Sequence, residues 1–291
     1  MTLTQTTEMA QLVSNAIDYF SGGSRSSSRN GGPPHGMTSI RDILERDYQN
    51  IYNTQTGLNL NYSSASSQKI AQLTQTIIDE HYNLGCPPNS HGYIFGGYCD
   101  ITDMKIIPSY NIRNRRVRYE EVVFDHSIPD AFAILVNEIT NSARALRGEG
   151  IRPCYATIPP ASLEKWNSYR LNLGRTALLL HEGQYEEMQG RLNAVLSSVN
   201  SFICKLNTWN SMYTPYIATT VLRTKASQQE SKFILAHHKL YDGVHADDAL
   251  VEEWGKKFVK AIRKNRTVYR DFHYPSLTEP LTDELVLSFN E

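Results

Sequence analysis

Between Tyr185 and Leu206 the apolar residues Tyr185, Met188, Leu192, Val195, Val199, Phe202 and Leu206 recur at alternating spacings of three and four, sustained over about three heptads. This spacing puts them on one side of an α-helix that must be covered along its whole length. Leu196 and Ile203 occupy flanking positions where a two-stranded coil would carry charge. The stripe is therefore wide and predicts a helix packed inside a bundle.

Further helices follow from the same periodicity. Ser39 with Asp42 forms a capping pattern that opens a helix over 39–53, carrying Ile40, Ile43, Leu44, Ile51 and Tyr52. Ile70, Leu73, Ile77, Ile78 and Leu84 predict a helix over 67–84, closed by Gly85 and the prolines at 87 and 88. Ser127, Pro129 and Asp130 open another, which Gly148 stops. Residues 247–264, acidic first and basic last, make the final one.

Between them, 93–95, 101–107 and 117–123 read as strands separated by Gly96, Gly97 and Asn-rich turns, with 151–158 and 216–222 returning to the sheet. The resulting expectation is an α+β protein, predominantly helical with a small antiparallel sheet. It comprises an amphipathic helical arm over 1–20, a flexible Gly/Ser/Pro linker over 21–36, a single domain over 37–275 and an acidic-apolar tail over 276–291.

Formal net charge is −1, so no overall field draws the chain to a polyanion, and only local patches could do so. The N-terminus has neither the basic start nor the apolar run of a secretion signal, and no apolar run approaches the roughly 20 residues that span a bilayer. A cytoplasmic protein with no membrane partner is expected. Four cysteines without CxxC spacing read as buried reduced thiols.

The chain holds no GxxxxGK[ST], no GxGxxG after a strand, no GxSxG and no HExxH, and no cofactor is expected. What remains favours contact surfaces over catalysis. Met9, Leu12, Val13, Ile17 and Phe20 on the arm, with Leu285 and Phe289 on the tail, are candidate partner-binding residues of a self-associating assembly protein, a homo-oligomer or larger.

A second reading is binding of RNA or single-stranded DNA. It would use Arg113, Arg115, Arg116 and Arg118 in one patch, and Lys256, Lys260, Arg263, Lys264, Arg266 and Tyr269 in another, where cations meet phosphates and rings meet bases. A third is a metal-dependent enzyme with His238, Asp242 and His245 as ligands, imidazole and carboxylate being the donors that zinc, manganese or iron accept.

Overall fold

A computed structural model of the chain describes residues 17–22, 38–52, 60–61, 69–101, 103–105, 120–122, 128–172, 182–226 and 231–268. In chain order, the first half contains strand β1 (Asp18–Gly22), helix α1 (Ile40–Tyr52), β2 (Leu60–Asn61), α2 (Ile70–Asn83), β3 (His91–Phe95), the single turn α3 (Tyr98–Ile101), β4 (Asp103–Lys105) and β5 (Glu120–Val122). The second half contains α4 (Ile128–Gly148), β6 (Arg152–Tyr155), α5 (Leu163–Asn172), α6 (Glu182–Trp209), β7 (Leu222–Ala226), β8 (Ser231–Leu235) and α7 (Asp248–Val268).

The main sheet has the order β2-β1-β3-β6, and all three of its pairings are parallel. Successive residues of β1, β3 and β6 face opposite helical layers. Tyr19, Ile94 and Tyr155 pack with α2, α4 and α6, whereas Phe20, Tyr93 and Cys154 pack with α1 and α7. With both faces buried, the strands lack the polar-apolar alternation that marks a half-exposed sheet, and parallel neighbours must be joined by long crossovers, which here carry helices.

The expected antiparallel sheet is thereby corrected to a parallel sheet between layers of helices. Among the described residues antiparallel pairing is confined to β4 with β5, β7 with β8, and an isolated bridge between Leu240 and Ala246. The predicted long helices are present, and Leu192, Val195, Leu196, Val199, Phe202, Ile203 and Leu206 of α6 are all core residues. Ser39 and Asp42 cap α1 reciprocally: the Ser39 amide donates to Asp42 Oδ2 at 2.8 Å, and the Asp42 amide donates to Ser39 Oγ at 3.2 Å.

The expected arm is also redrawn where it is described. Residues 18–20 are strand, Phe20 is fully buried in T-shaped contact with Phe258, and Ile17 packs on the core, so neither is free for a partner. Met9, Leu12, Val13, Leu285 and Phe289 lie outside the described residues, as do the linker from residue 23 and the tail.

At the free edge of β6, α6 supplies side-chain amides in place of a neighbouring strand. Asn207 accepts from the Tyr155 amide at 2.9 Å and donates to its carbonyl at 2.7 Å, and Asn200 treats Ile158 in the same way at 2.7 and 2.9 Å. Seven residues apart, the two asparagines share one face of the helix and block further strand addition.

Asp18, the first residue of β1, is buried between His91, its register partner, and Arg266 in the last turn of α7. Arg266 Nε donates to Asp18 Oδ2 at 3.0 Å, and Arg266 also donates to the Asn89 carbonyl at 2.9 Å. Burial alone would raise the Asp18 carboxyl, but Arg266 and then His91 outweigh it and hold it well below the usual carboxylate range. Burial, with Arg266, pushes His91 down to about 4, so its ring is uncharged at neutral pH.

Removing one partner of a buried pair leaves the other charge without compensation, which costs about 3–5 kcal/mol. Arg266→Ala is therefore expected to lose stability of that order in urea melts. Since the folded Asp18 carboxyl lies below its unfolded value of about 3.9, the stabilisation is complete above roughly pH 4 and fades as pH falls below it. An Asp18→Asn protein should accordingly show a flatter acid limb than the parent.

Candidate active site

Helix α7 runs antiparallel to the strands. Trp254 packs on Phe95 at the end of β3 with ring centroids 5.1 Å apart, Asn265 donates to the Tyr93 hydroxyl at 3.0 Å, and Arg266 reaches Asp18 at the start of β1. The residues just before α7 therefore emerge at the edge where the parallel strands end. On open parallel sheets ligands bind at that edge, where successive crossovers lie on opposite faces. Here α1, following β1, covers one face and α4, following β3, covers the other, so the crossovers change face between β1 and β3.

The segment before α7 is a closed hairpin. Leu240 bridges Ala246, the Tyr241 amide donates to the His245 carbonyl at 2.9 Å, and the Asp247 amide donates to the Lys239 carbonyl at 2.9 Å. Inside it, Asp242 Oδ1 accepts from the amides of Val244 at 2.9 Å and His245 at 2.7 Å, while Oδ2 meets His245 Nδ1 at 2.6 Å. Asp242 is 5% exposed. Burial would raise its carboxyl, but the His245 ring and the two amides prevail and keep it below its ordinary value. The His245 side chain is 35% exposed, and its Nε2 makes no hydrogen bond among the described residues.

Gly243 seats this hairpin. Its φ is +95°, its carbonyl accepts from the Ser162 amide at 2.7 Å, and a Cβ there would stand 2.4 Å from the Trp166 amide nitrogen and 2.5 Å from the Ser162 carbonyl oxygen. Ser162 caps α5 by accepting from the Lys165 amide. Gln189 of α6 grips the same loop, accepting from the Leu163 amide and donating to the Ala161 carbonyl. Tyr98, just past β3, donates to the Pro159 carbonyl.

The ends of β1 and β3 complete the edge. Gly22 faces Phe95 in register, and Gly96 and Gly97 follow, where a Cβ would run into Leu73 at 2.7 Å and Ile158 at 2.5 Å. Asp100, pressed against the start of α2, accepts from the Ile70 amide at 3.2 Å; burial pushes its carboxyl up to about 7 despite that bond. Ser21 is 1% exposed, and its Oγ has no hydrogen-bond partner among the described residues.

Of the expected metal ligands, Asp242 and His245 come together, whereas His238 lies exposed on a 3-10 turn, His237–Lys239. Among the described residues no three His, Cys, Asp or Glu side chains gather as a metal site. Lys256, Lys260, Arg263 and Lys264 line an open groove on α7 with Asp47 and Val259. Within it, Lys256 pairs with Glu252 at 3.3 Å and Lys264 Nζ sits 4.1 Å above the Tyr213 ring. Arg266 turns inward to Asp18, away from any phosphate. Arg113, Arg115, Arg116, Arg118 and Tyr269 lie outside the described residues.

No described protein family and no curated protein sequence matches the chain. Among solved structures, it is similar in course to a GDSL-like lipase from Bacteroides thetaiotaomicron, at 12% identity and a TM-score of 0.45, covering 91% of this chain and 97% of that one. It is also similar to TesA, at 12% identity and a TM-score of 0.42 over 86% and 99% of the two chains. A third is Axe2, an acetylxylan esterase from Geobacillus stearothermophilus, at 9% identity and a TM-score of 0.41 over 87% and 94%.

This chain's own geometry corrects the expectation of a non-enzymatic assembly or nucleic-acid-binding protein: Ile17 and Phe20 are committed to the core, Arg266 is committed to Asp18, and a carboxylate-imidazole pair stands at the edge where the parallel strands end. For the metal-dependent alternative, Asp242 and His245 stand together without a third His, Cys, Asp or Glu among the described residues. No described helix is long and apolar enough to cross a membrane.

Asp242 and His245, expected as metal donors, are paired with each other in the structure. The available signal was Asp-Gly-Val-His itself: an aspartate two and three residues before amides it can cap, with a glycine between, is a turn that folds the carboxylate onto the histidine. Gly243→Ala combines a disfavoured φ with a backbone clash. It is expected to cost on the order of 2 kcal/mol in a denaturant melt, and to broaden the His245 signals in an NMR spectrum as the hairpin leaves its seat.

Proposed function

We propose that this chain is a serine-dependent hydrolase of esters, in which His245 is the general base and Asp242 the carboxylate that orients it. The observation that carries this reading is the 2.6 Å contact between His245 Nδ1 and a buried Asp242 held in its ionised range, at the C-terminal edge of a parallel sheet. An ionised carboxylate only accepts, so Nδ1 carries the proton and the lone pair falls on Nε2, the atom with no partner among the described residues. Nε2 is then placed to take a hydroxyl proton as the oxygen attacks an acyl carbon, and to return that proton to the departing alcohol.

The hydroxyl is assigned to the end of β1, which lies at the same edge. Ser21 is too buried to meet a substrate. Ser24 follows Gly22 and Gly23, small residues of the kind that let a chain turn sharply off a strand and present a nucleophile. Its assignment rests on chain position, since Ser24 lies outside the described residues.

Release of p-nitrophenol from p-nitrophenyl acetate and butyrate tests the reading, together with mass-spectrometric mapping of a fluorophosphonate adduct. Ser24→Ala and His245→Ala should abolish turnover and labelling, and Asp242→Asn should lower kcat by about 10³–10⁴ through the wrong tautomer. Ser21→Ala should keep most of the activity. Unimpaired turnover in His245→Ala, or none in the parent across the acyl series, would reject the hydrolase.

A further inference from the structure

We infer that Tyr241 and Tyr169 are positioning residues that fix the plane of the general base, an inference that rests on the hydrolase reading above. The hydrogen bond from Nδ1 to Asp242 sets the tautomer of His245 but, as one contact at the ring's edge, only partly restrains libration about the Cβ–Cγ bond. Its side chain is 35% exposed, so solvent reaches part of the ring. The Tyr241 ring supplies the missing contact: it lies stacked on the imidazole at an interplanar angle of 22°, with centroids 5.8 Å apart.

Backbone geometry makes this contact obligatory. The Tyr241 amide donates to the His245 carbonyl at 2.9 Å, so the two residues face each other across the hairpin, and their rings project to the same side. Behind Tyr241 stands Tyr169 of α5, edge-on at 81° and 6.0 Å. Tyr169 is held in turn because the start of α5 is sealed to the hairpin through Ser162 and Gly243. The chain of contacts thus runs from a rigid helix through two rings to the imidazole.

The stack also has an electrostatic sense. When Nε2 takes the serine proton the imidazole becomes a cation, and the electron-rich face of a phenol ring attracts it. Asp242 serves the same charge from the ring's edge, and Tyr241 serves it from a face. Neither role uses the tyrosine hydroxyl.

The test uses the full chain. The kcat and KM of Tyr241→Phe, Tyr241→Leu and Tyr169→Leu are measured on p-nitrophenyl butyrate, and the His245 ring-proton shifts are followed by NMR in histidine-labelled protein. Tyr241→Phe should keep at least about half of kcat, whereas Tyr241→Leu should lose roughly five- to tenfold in kcat with KM nearly constant. Tyr169→Leu should fall between them. The His245 ring protons should move downfield when the Tyr241 ring current is removed.

A kcat for Tyr241→Leu equal to the parent, or an equal loss in Tyr241→Phe, would overturn the positioning role, as would His245 shifts indifferent to Tyr241→Leu. A parent protein without turnover would reject the hydrolase alone. The ring-proton shifts would then decide by themselves whether Tyr241 holds the imidazole.

Discussion

The ion pair between Asp18 and Arg266 fixes more of this molecule than any other single contact. It joins the first residue of the central strand to the last turn of the last described helix, 248 positions away. With 21 residues, α7 is about 30 Å long, enough to run the full height of the sheet. Pinning its C-terminal end beside Asp18 determines where its N-terminal end, and the hairpin ahead of it, must emerge. Asn265 on Tyr93 and Trp254 on Phe95 keep the helix in step with the strands between those points. The placement of His245 therefore depends on a charge pair at the opposite edge of the sheet.

That dependence explains a buried ion pair in a fold that has ample apolar burial on both faces. Such pairs contribute little net stability compared with hydrophobic replacements, and their best-attested use is to specify a register. A purely apolar contact at the end of α7 would tolerate a slip of one turn along the sheet. A fork of guanidinium donors shared between the Asp18 carboxylate and the Asn89 carbonyl tolerates none.

Helices were far more legible in the sequence than the sheet. The three-four spacing of α6 and the Ser39 cap of α1 depend on neighbours close in sequence, and the structure has both. Parallel strands β1, β3 and β6 are four or five residues long and buried on both faces, so they carry no alternation to read. β1 was the most deceptive of them. Ile17 and Phe20 stand three apart and continue the helical spacing of the residues before them, and only the packing of Tyr19 and Phe20 onto opposite layers shows an extended chain. At the site, residue types were legible but geometry was not: Asp242 and His245 were visible as donors, whereas their pairing depends on a glycine conformation that composition does not reveal.

The supports of the hairpin come from α5, α6 and the turn beyond β3. Gly243 rests on Ser162 and Trp166 at the start of α5, and that loop is gripped by Gln189 of α6 and by Tyr98 beyond β3. Farther along α6, Asn200 and Asn207 bind the backbone of the strand edge that leads into the loop. A side-chain pair on a hairpin would ordinarily inherit the mobility of a loop. Here one long helix fastens both the edge strand and the loop that seats the hairpin, so Asp242 and His245 take their rigidity from the sheet and helices around them. This is the condition under which a single carboxylate contact can hold one tautomer of the His245 imidazole.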